Sequence, residues 1–179
     1  MIKNFVIIIC AGGLLAISGC VGKDRQVQNH MAWLNSGNPV IRNRAITQLG
    51  TLGQQKAAPV LRKFLSREYP RDTRLLTVRA LGNLGDAGSV ELLVPILAEP
   101  DTDIKLATVE ALGKIHDQRG IVPLAGMLND QDAQLTAIWA LGNIRHTNAT
   151  PCLTGLLTSQ DKFVRYNALQ ALKKIGSGR

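Results

Sequence analysis

Apolar residues recur along this chain at helical spacing, and the pattern itself returns every 29 to 32 residues. The clearest copies are Ala80-Leu81-Gly82-Asn83-Leu84, Ala111-Leu112-Gly113-Lys114-Ile115 and Ala140-Leu141-Gly142-Asn143-Ile144. A looser copy, Gln48-Leu49-Gly50-Thr51-Leu52, precedes them, and Ala171-Leu172-Lys173-Lys174-Ile175 follows. The glycine position therefore falls at 50, 82, 113, 142 and 173. A period of this size predicts an all-α protein of stacked repeats, each unable to bury its apolar face alone.

Two registers place the helices. Eleven residues after the glycine position stand Leu61, Leu93, Leu124 and Leu153; fifteen after it stand Leu65, Leu97, Leu128 and Leu157. A spacing of four puts each pair on one helix face. This first helix of each repeat begins near Pro59, Ser89, Ile121 or Pro151. Pro59 and Pro151 suit an opening turn, whereas Pro95 and Pro123 sit further in and predict a kink or a shortened helix. The second helix carries Ile41, Thr73, Ile104, Ala133 and Val164 nine before the glycine, and Ala45, Thr77, Thr108, Ala137 and Ala168 five before it. With the Ala, Leu and aliphatic residue of the phrase they form one stripe at helical spacing. The glycine serves either close helix approach or helix termination. Val27–Leu34 and Val40–Leu52 read as the first pair, broken by Asn35-Ser36-Gly37-Asn38-Pro39.

Asn38, Asp101, Asp130 and Asp161 stand where they can cap the helices that follow. Eight residues before the glycine lie Arg42, Arg74, Lys105, Gln134 and Arg165, which predict a ladder of hydrogen bonds and ion pairs between neighbouring repeats.

Hydrophobic content of 45% with only 4% aromatics fits small aliphatic side chains between helices and excludes a disordered chain. The net charge is +8, and +7 without residues 1–19, which carry only Lys3. The basic residues are interleaved with Asp and form no block, so no nucleic-acid partner is expected.

The first residues read differently. Lys3 precedes an uncharged apolar run from Phe5 to Ile17, and small residues follow: the layout of a secretory signal. Ile17-Ser18-Gly19-Cys20 resembles the lipobox of bacterial lipoproteins. That resemblance implies a signal peptide over 1–19, a lipidated Cys20 and a spacer over 20–25. An uncleaved transmembrane anchor is the alternative, since Asn4 to Gly22 could just span a bilayer. Val21 after the cysteine resembles the pattern sorted to the outer membrane. The expected location is the bacterial cell envelope, lipid-anchored, at the periplasmic face of the outer membrane. Cys10 falls in the signal, leaving Cys152, which reads as a small buried hydrophobe.

Asp101-x-Asp103-Ile104-Lys105 leading to Ala111-Leu112-Gly113-Lys114-Ile115, and Phe163-Val164-Arg165 leading to Ala168 and Ala171-Leu172, resemble HEAT repeats of the phycobilisome-lyase type. The resemblance covers residues 26–176 and leaves 177–179 as a tail. It implies a right-handed α-solenoid of about five HEAT-like helix pairs, with the second helices lining a concave face.

No chemistry stands out. His116 and His146 follow successive phrases but lack the further ligands a metal site requires. Deoxyhypusine hydroxylase builds its di-iron site from His-Glu pairs on HEAT-like repeats, and this chain has no His-Glu dipeptide. No phosphate loop or nucleophile motif is present. No catalytic residue, metal or cofactor is therefore expected.

The positions seven and three before the glycine face away from the core stripe. Seven before it stand Leu75, Leu106, Leu135 and Tyr166; three before it stand Arg79, Glu110, Trp139 and Gln170. Exposed apolar surface rimmed by charge predicts a binding groove, and inter-repeat packing of the leucines is the competing reading. The resulting expectation is a non-catalytic scaffold, not an enzyme, that holds another envelope protein or peptide on its concave face. Self-association through the uncapped C-terminal repeat is a further expectation. The alternative is an enzyme or enzyme accessory related to bilin lyases or to metal-dependent HEAT-repeat proteins.

Overall fold

The structure, a computed structural model, describes residues 17–177 and the side chains from Arg25 onward. Most of the expected signal segment, the Cys20 side chain and the end of the tail lie outside the described residues. Helix α1 (Ile17–Trp33) begins eight residues upstream of Arg25, so the backbone of the expected spacer is helical. Helix α2 (Pro39–Leu52) follows, with Asn38 Oδ1 accepting from the Val40 N–H as the sequence predicts.

Four more helix pairs stack on this one: α3 (Ala58–Leu61) with α4 (Arg71–Leu84), then α5 (Val90–Leu93) with α6 (Thr102–Ile115). Next come α7 (Ile121–Gly126) with α8 (Gln134–Ile144), and α9 (Thr150–Gly155) with α10 (Lys162–Gly176). The first helices are one or two turns long and run on into 3-10 segments, such as Arg62–Leu65 and Val94–Ala98. That shortness belongs to the repeat and not to the interior prolines, because α3, opened by Pro59, has four residues like α5. Among the described residues there is no strand, and the architecture is an α-solenoid.

The core is a continuous aliphatic seam. Leu61, Leu93, Leu124 and Leu153 of the first helices are fully buried, as are Leu49, Leu81, Leu112 and Leu141 of the second helices. The two candidate roles of glycine belong to different residues. A Cβ on Gly82 or Gly113 would stand 2.7 Å from the Cα of Ala111 or Ala140 in the next second helix. No side chain fits there, so these glycines set the inter-repeat spacing. Helix termination falls three residues later, at Gly53 and Gly85, with φ of 68° and 65°. His116 and Arg145 hold the same left-handed place in α6 and α8, with φ of 59° and 54°.

The predicted ladder exists, with a second function. Arg42, Arg74, Gln134 and Arg165 each reach back to a carbonyl near the end of the preceding helix, at Ser36, Leu65, Leu128 and Ser159. Two positions also bridge repeats: Arg74 to Glu99 at 2.6 Å and Lys105 to Asp130 at 2.7 Å. Arg74 and Glu99 are both buried, and the exposed Arg67 also reaches Glu99 at 3.4 Å. Arg62–Asp86 and Arg119–Glu91 add further inter-repeat pairs.

Candidate functional site

The outward faces of α4, α6, α8 and α10 carry the residues singled out as binding candidates, and the structure divides them. Leu75 and Leu106 are half-buried and pack against the core seam. Leu135, Trp139 and Tyr166 are exposed, at 44%, 37% and 61%. The apolar groove expected over successive repeats is thus reduced to its C-terminal part. The sequence could not show this, because a leucine seven residues before the glycine occupies the same register whether it tilts inward or outward.

Glu110, Leu135 and Trp139 come together in a shallow recess of about 480 Å³ between α6 and α8, completed by Lys114 and Thr136. Trp139 lies over the bare backbone of Gly113: a Cβ there would meet the indole Cζ3 at 3.1 Å. Lys174 of the next repeat stands 6.0 Å from the centre of the Trp139 ring and donates to Asn143 Oδ1 at 3.0 Å. One repeat earlier Lys114 donates to Asn83 Oδ1 at 3.1 Å. The recess therefore has an aromatic and aliphatic floor, a cation from Lys114 and one carboxylate from Glu110, while Lys174 stands beside the Trp139 ring outside the lining. Arg79, Tyr166 and Gln170 do not line it.

Lys114 and Lys174 were absent from the candidate set, although a signal existed. The residue after each glycine position runs Thr51, Asn83, Lys114, Asn143 and Lys174, an alternation that pairs each lysine with the asparagine one repeat before. Lys114 also borders a polar groove of about 550 Å³ with Asn83, His116 and Asn143. His116 Nδ1 lies 2.5 Å from the Asn143 carbonyl, which ties the strained end of α6 to α8.

The remaining chemistry candidates separate. Among the described residues no three His, Cys, Asp or Glu side chains gather in a metal-ligating group. The Cys152 thiol donates to the Ala149 carbonyl at 3.1 Å, and burial pushes its pKa up, away from the reactive thiolate. Among the described residues no helix is long and apolar enough to cross a membrane.

Fold and recess together define a helical-repeat protein whose variable chemistry lies on its second helices. The profile of HEAT repeats matches residues 63–136 and 129–179, and the chain belongs to that family. The PBS lyase HEAT-like repeat matches residues 41–67. The bilin biosynthesis protein PecE of Mastigocladus laminosus is 28% identical over 160 residues, covering 88% of this chain and 56% of PecE. The chain thus spans little more than half the length of that relative. Among solved structures, the complex of CpcE and CpcF of phycocyanin lyase from Nostoc sp. PCC7120 aligns with a TM-score of 0.68 at 21% identity. That alignment covers 98% of this chain and 70% of the matched chain. A designed armadillo repeat protein in complex with the peptide (KR)4 aligns at 0.66 and 18% identity, covering 92% and 87% of the two chains.

These relatives correct the expectation of a non-catalytic scaffold and of no enzymatic role. PecE is named as a bilin biosynthesis protein, which favours the enzyme-related alternative. Leu75 and Leu106 are half-buried against the core, and Glu110, Lys114, Leu135 and Trp139 line a compact recess.

Proposed function

We propose that this chain is an enzyme-related HEAT-repeat protein that handles a bilin, as one chain of a lyase-like activity working with a protein partner. The observation that carries the reading is the recess at Trp139, whose exposed indole is flanked by Lys114 and Lys174. A bilin is an open-chain conjugated tetrapyrrole bearing propionate carboxylates and pyrrole N–H groups. Its rings stack on the indole face, its carboxylates meet the two ammonium groups, and Glu110 accepts from pyrrole N–H. Similarity to a bilin biosynthesis protein over most of this chain supports the assignment.

The test is titration of the purified chain with biliverdin, followed by absorbance and by quenching of tryptophan fluorescence. Saturable binding that weakens about tenfold in Trp139→Ala is expected, the size of one aromatic contact. Titration curves that superimpose for the two proteins would remove the reading.

A separate proposal rests on Ile17-Ser18-Gly19-Cys20 alone. Cys20 carries lipid and holds the solenoid at a bacterial membrane, at the periplasmic face of the outer membrane. Intact-mass measurement on the membrane fraction checks it. A mature chain beginning at acylated Cys20, lost in Cys20→Ser, is expected; an unmodified Cys20 would exclude it.

A further inference from the structure

Cations that bridge repeats in this protein commonly end on carboxylates, as Arg71 does on Asp101 and Lys105 on Asp130. Two lysines of the second helices depart from that rule. Lys114 donates to Asn83 Oδ1 at 3.1 Å and Lys174 to Asn143 Oδ1 at 3.0 Å, each one repeat back. An amide oxygen fixes an ammonium group in place but does not neutralise it. It also occupies only one of the three N–H bonds, so two remain for a ligand.

The surroundings keep that charge available. Lys114 lines both the Trp139 recess and the polar groove of Asn83, His116 and Asn143, which makes the two one continuous surface. No Asp or Glu lines the groove. The acids beside its walls in sequence are occupied, Asp86 by Arg62 at 2.6 Å and Asp117 by Arg119 at 2.8 Å. Glu110 is the acid of the recess, and it stands one helical turn before Lys114 on α6. Trp139 likewise stands one turn before Asn143 on α8. Toward the C-terminal ends of α6 and α8 the surface thus passes from indole and carboxylate to amide and ammonium.

That gradient orients a dicarboxylate. Its carboxylates are repelled at Glu110 and drawn to the groove end, where adjacent helix axes stand about 8–10 Å apart. A bilin carries its two propionates on its two inner rings, so both leave from one edge of the molecule. With that edge on the groove, the conjugated rings lie over the indole.

We propose that Asn83 and Asn143 are specificity-determining positions of the bilin site. They hold Lys114 and Lys174 beside Trp139 with their charges intact, so the site selects a free dicarboxylate and sets which edge faces the groove. The inference rests on the bilin reading and adds its positioning residues. An asparagine that only supported the fold would be replaceable by aspartate, which offers the lysine the same oxygen. One that preserves the lysine's charge for a ligand would not.

The test titrates wild type, Asn83→Asp, Asn143→Asp and Trp139→Ala with biliverdin and with its dimethyl ester. Salt of about 0.15 M screens charges beyond roughly 8 Å. Aspartate keeps Oδ1 for the ammonium, so both asparagine variants should melt no lower than wild type. Each should bind biliverdin about tenfold more weakly and the ester as well as wild type does. Asn129→Asp, the same change on an exposed residue outside recess and groove, should leave both titrations unchanged. Trp139→Ala should weaken both ligands. A wild-type chain that takes up no biliverdin would remove the bilin reading and this inference with it. Biliverdin binding that falls in Trp139→Ala but not in Asn83→Asp or Asn143→Asp would overturn this inference alone. So would asparagine variants that lose the ester by the same factor.

Discussion

Ala140 sits against Gly113 so closely that a Cβ on the glycine would stand 2.7 Å from the alanine Cα and 2.8 Å from its Cβ. The same distance recurs between Gly82 and Ala111, so it is a rule of the stack. Helix propensity alone would make Gly113→Ala stabilising. The close approach makes it destabilising, because the clash is with backbone that cannot swing away. Gly113→Ala should cost about 1–3 kcal/mol, a fall in Tm of roughly 2–10 °C. Gly126→Ala, where nothing lies within 4 Å, should gain about 0.5–1 kcal/mol. Thermal unfolding by circular dichroism distinguishes the two.

The buried pair of Arg74 and Glu99 makes a second prediction. Arg74→Met leaves Glu99, only 8% exposed, with the exposed Arg67 at 3.4 Å as its remaining cation, and should cost at most about 3–5 kcal/mol. Arg74→Met with Glu99→Leu removes both ions and should recover most of that loss. Urea unfolding of the single and double variants measures the coupling directly. Additive losses would mean that the pair does not act as a unit.

The left-handed helix ends carry a third. Arg145 adopts φ of 54° where α2 and α4 are followed by glycine. Relief of the left-handed strain outweighs the extra chain entropy of glycine, so Arg145→Gly should stabilise by about 0.5 kcal/mol. His116→Gly should gain less, because its ring is held to the Asn143 carbonyl.

Acid should loosen the stack at three inter-repeat pairs, those of Asp86, Asp101 and Asp130, and at the local pair of Asp117 with Arg119. Burial opposes ionisation of Asp86, but the hydrogen bonds from Arg62 and Ser89 outweigh it and hold its pKa below the usual carboxylate value. Arg71 does the same for Asp101, Arg119 for Asp117 and Lys105 for Asp130. A pKa depressed by folding contributes stability that is present above the unfolded value and lost as pH falls through the folded one. Stability should therefore be level with respect to these four groups near neutrality and decline below about pH 4. Neutralising Asp86 as Asn should flatten the decline in a series of melting curves.

Much of the fold was legible because repetition makes each helix testify for the others. The glycine position, the leucines eleven and fifteen residues on, and the caps Asn38, Asp101 and Asp161 all fall where their spacing put them. The short first helices were harder to read, since 3-10 segments such as Val94–Ala98 keep the same leucine spacing as a longer helix. The site was half legible. Glu110, Leu135 and Trp139 follow from register, but Lys114 was absorbed into the recurring phrase and Lys174 into its worn last copy. The half-buried state of Leu75 and Leu106 was not legible, because register gives a direction from the helix axis and not the depth of the neighbouring surface. Activity was least legible of all: no motif of chemistry appears, and it is the relatives that point toward bilins.

The lysine ladder gives one more expectation. Lys114→Gln removes a cation from the rim yet can still bond Asn83, so folding should be unchanged. Lys174→Gln likewise keeps a partner in Asn143 and loses only its charge beside Trp139. Each change should weaken binding of a dicarboxylate bilin about threefold to tenfold, and the two together more than either alone. Biliverdin dimethyl ester, which lacks the carboxylates, should bind all three proteins equally.

The decisive measurement is the biliverdin titration of the full chain against Trp139→Ala, read by tryptophan fluorescence and tetrapyrrole absorbance at matched folding. A single saturable site, shifted bilin absorbance and about tenfold weaker binding in Trp139→Ala are predicted. Absence of saturation in the full chain, or equal affinity for both proteins, would show that the recess between α6 and α8 does not hold a bilin.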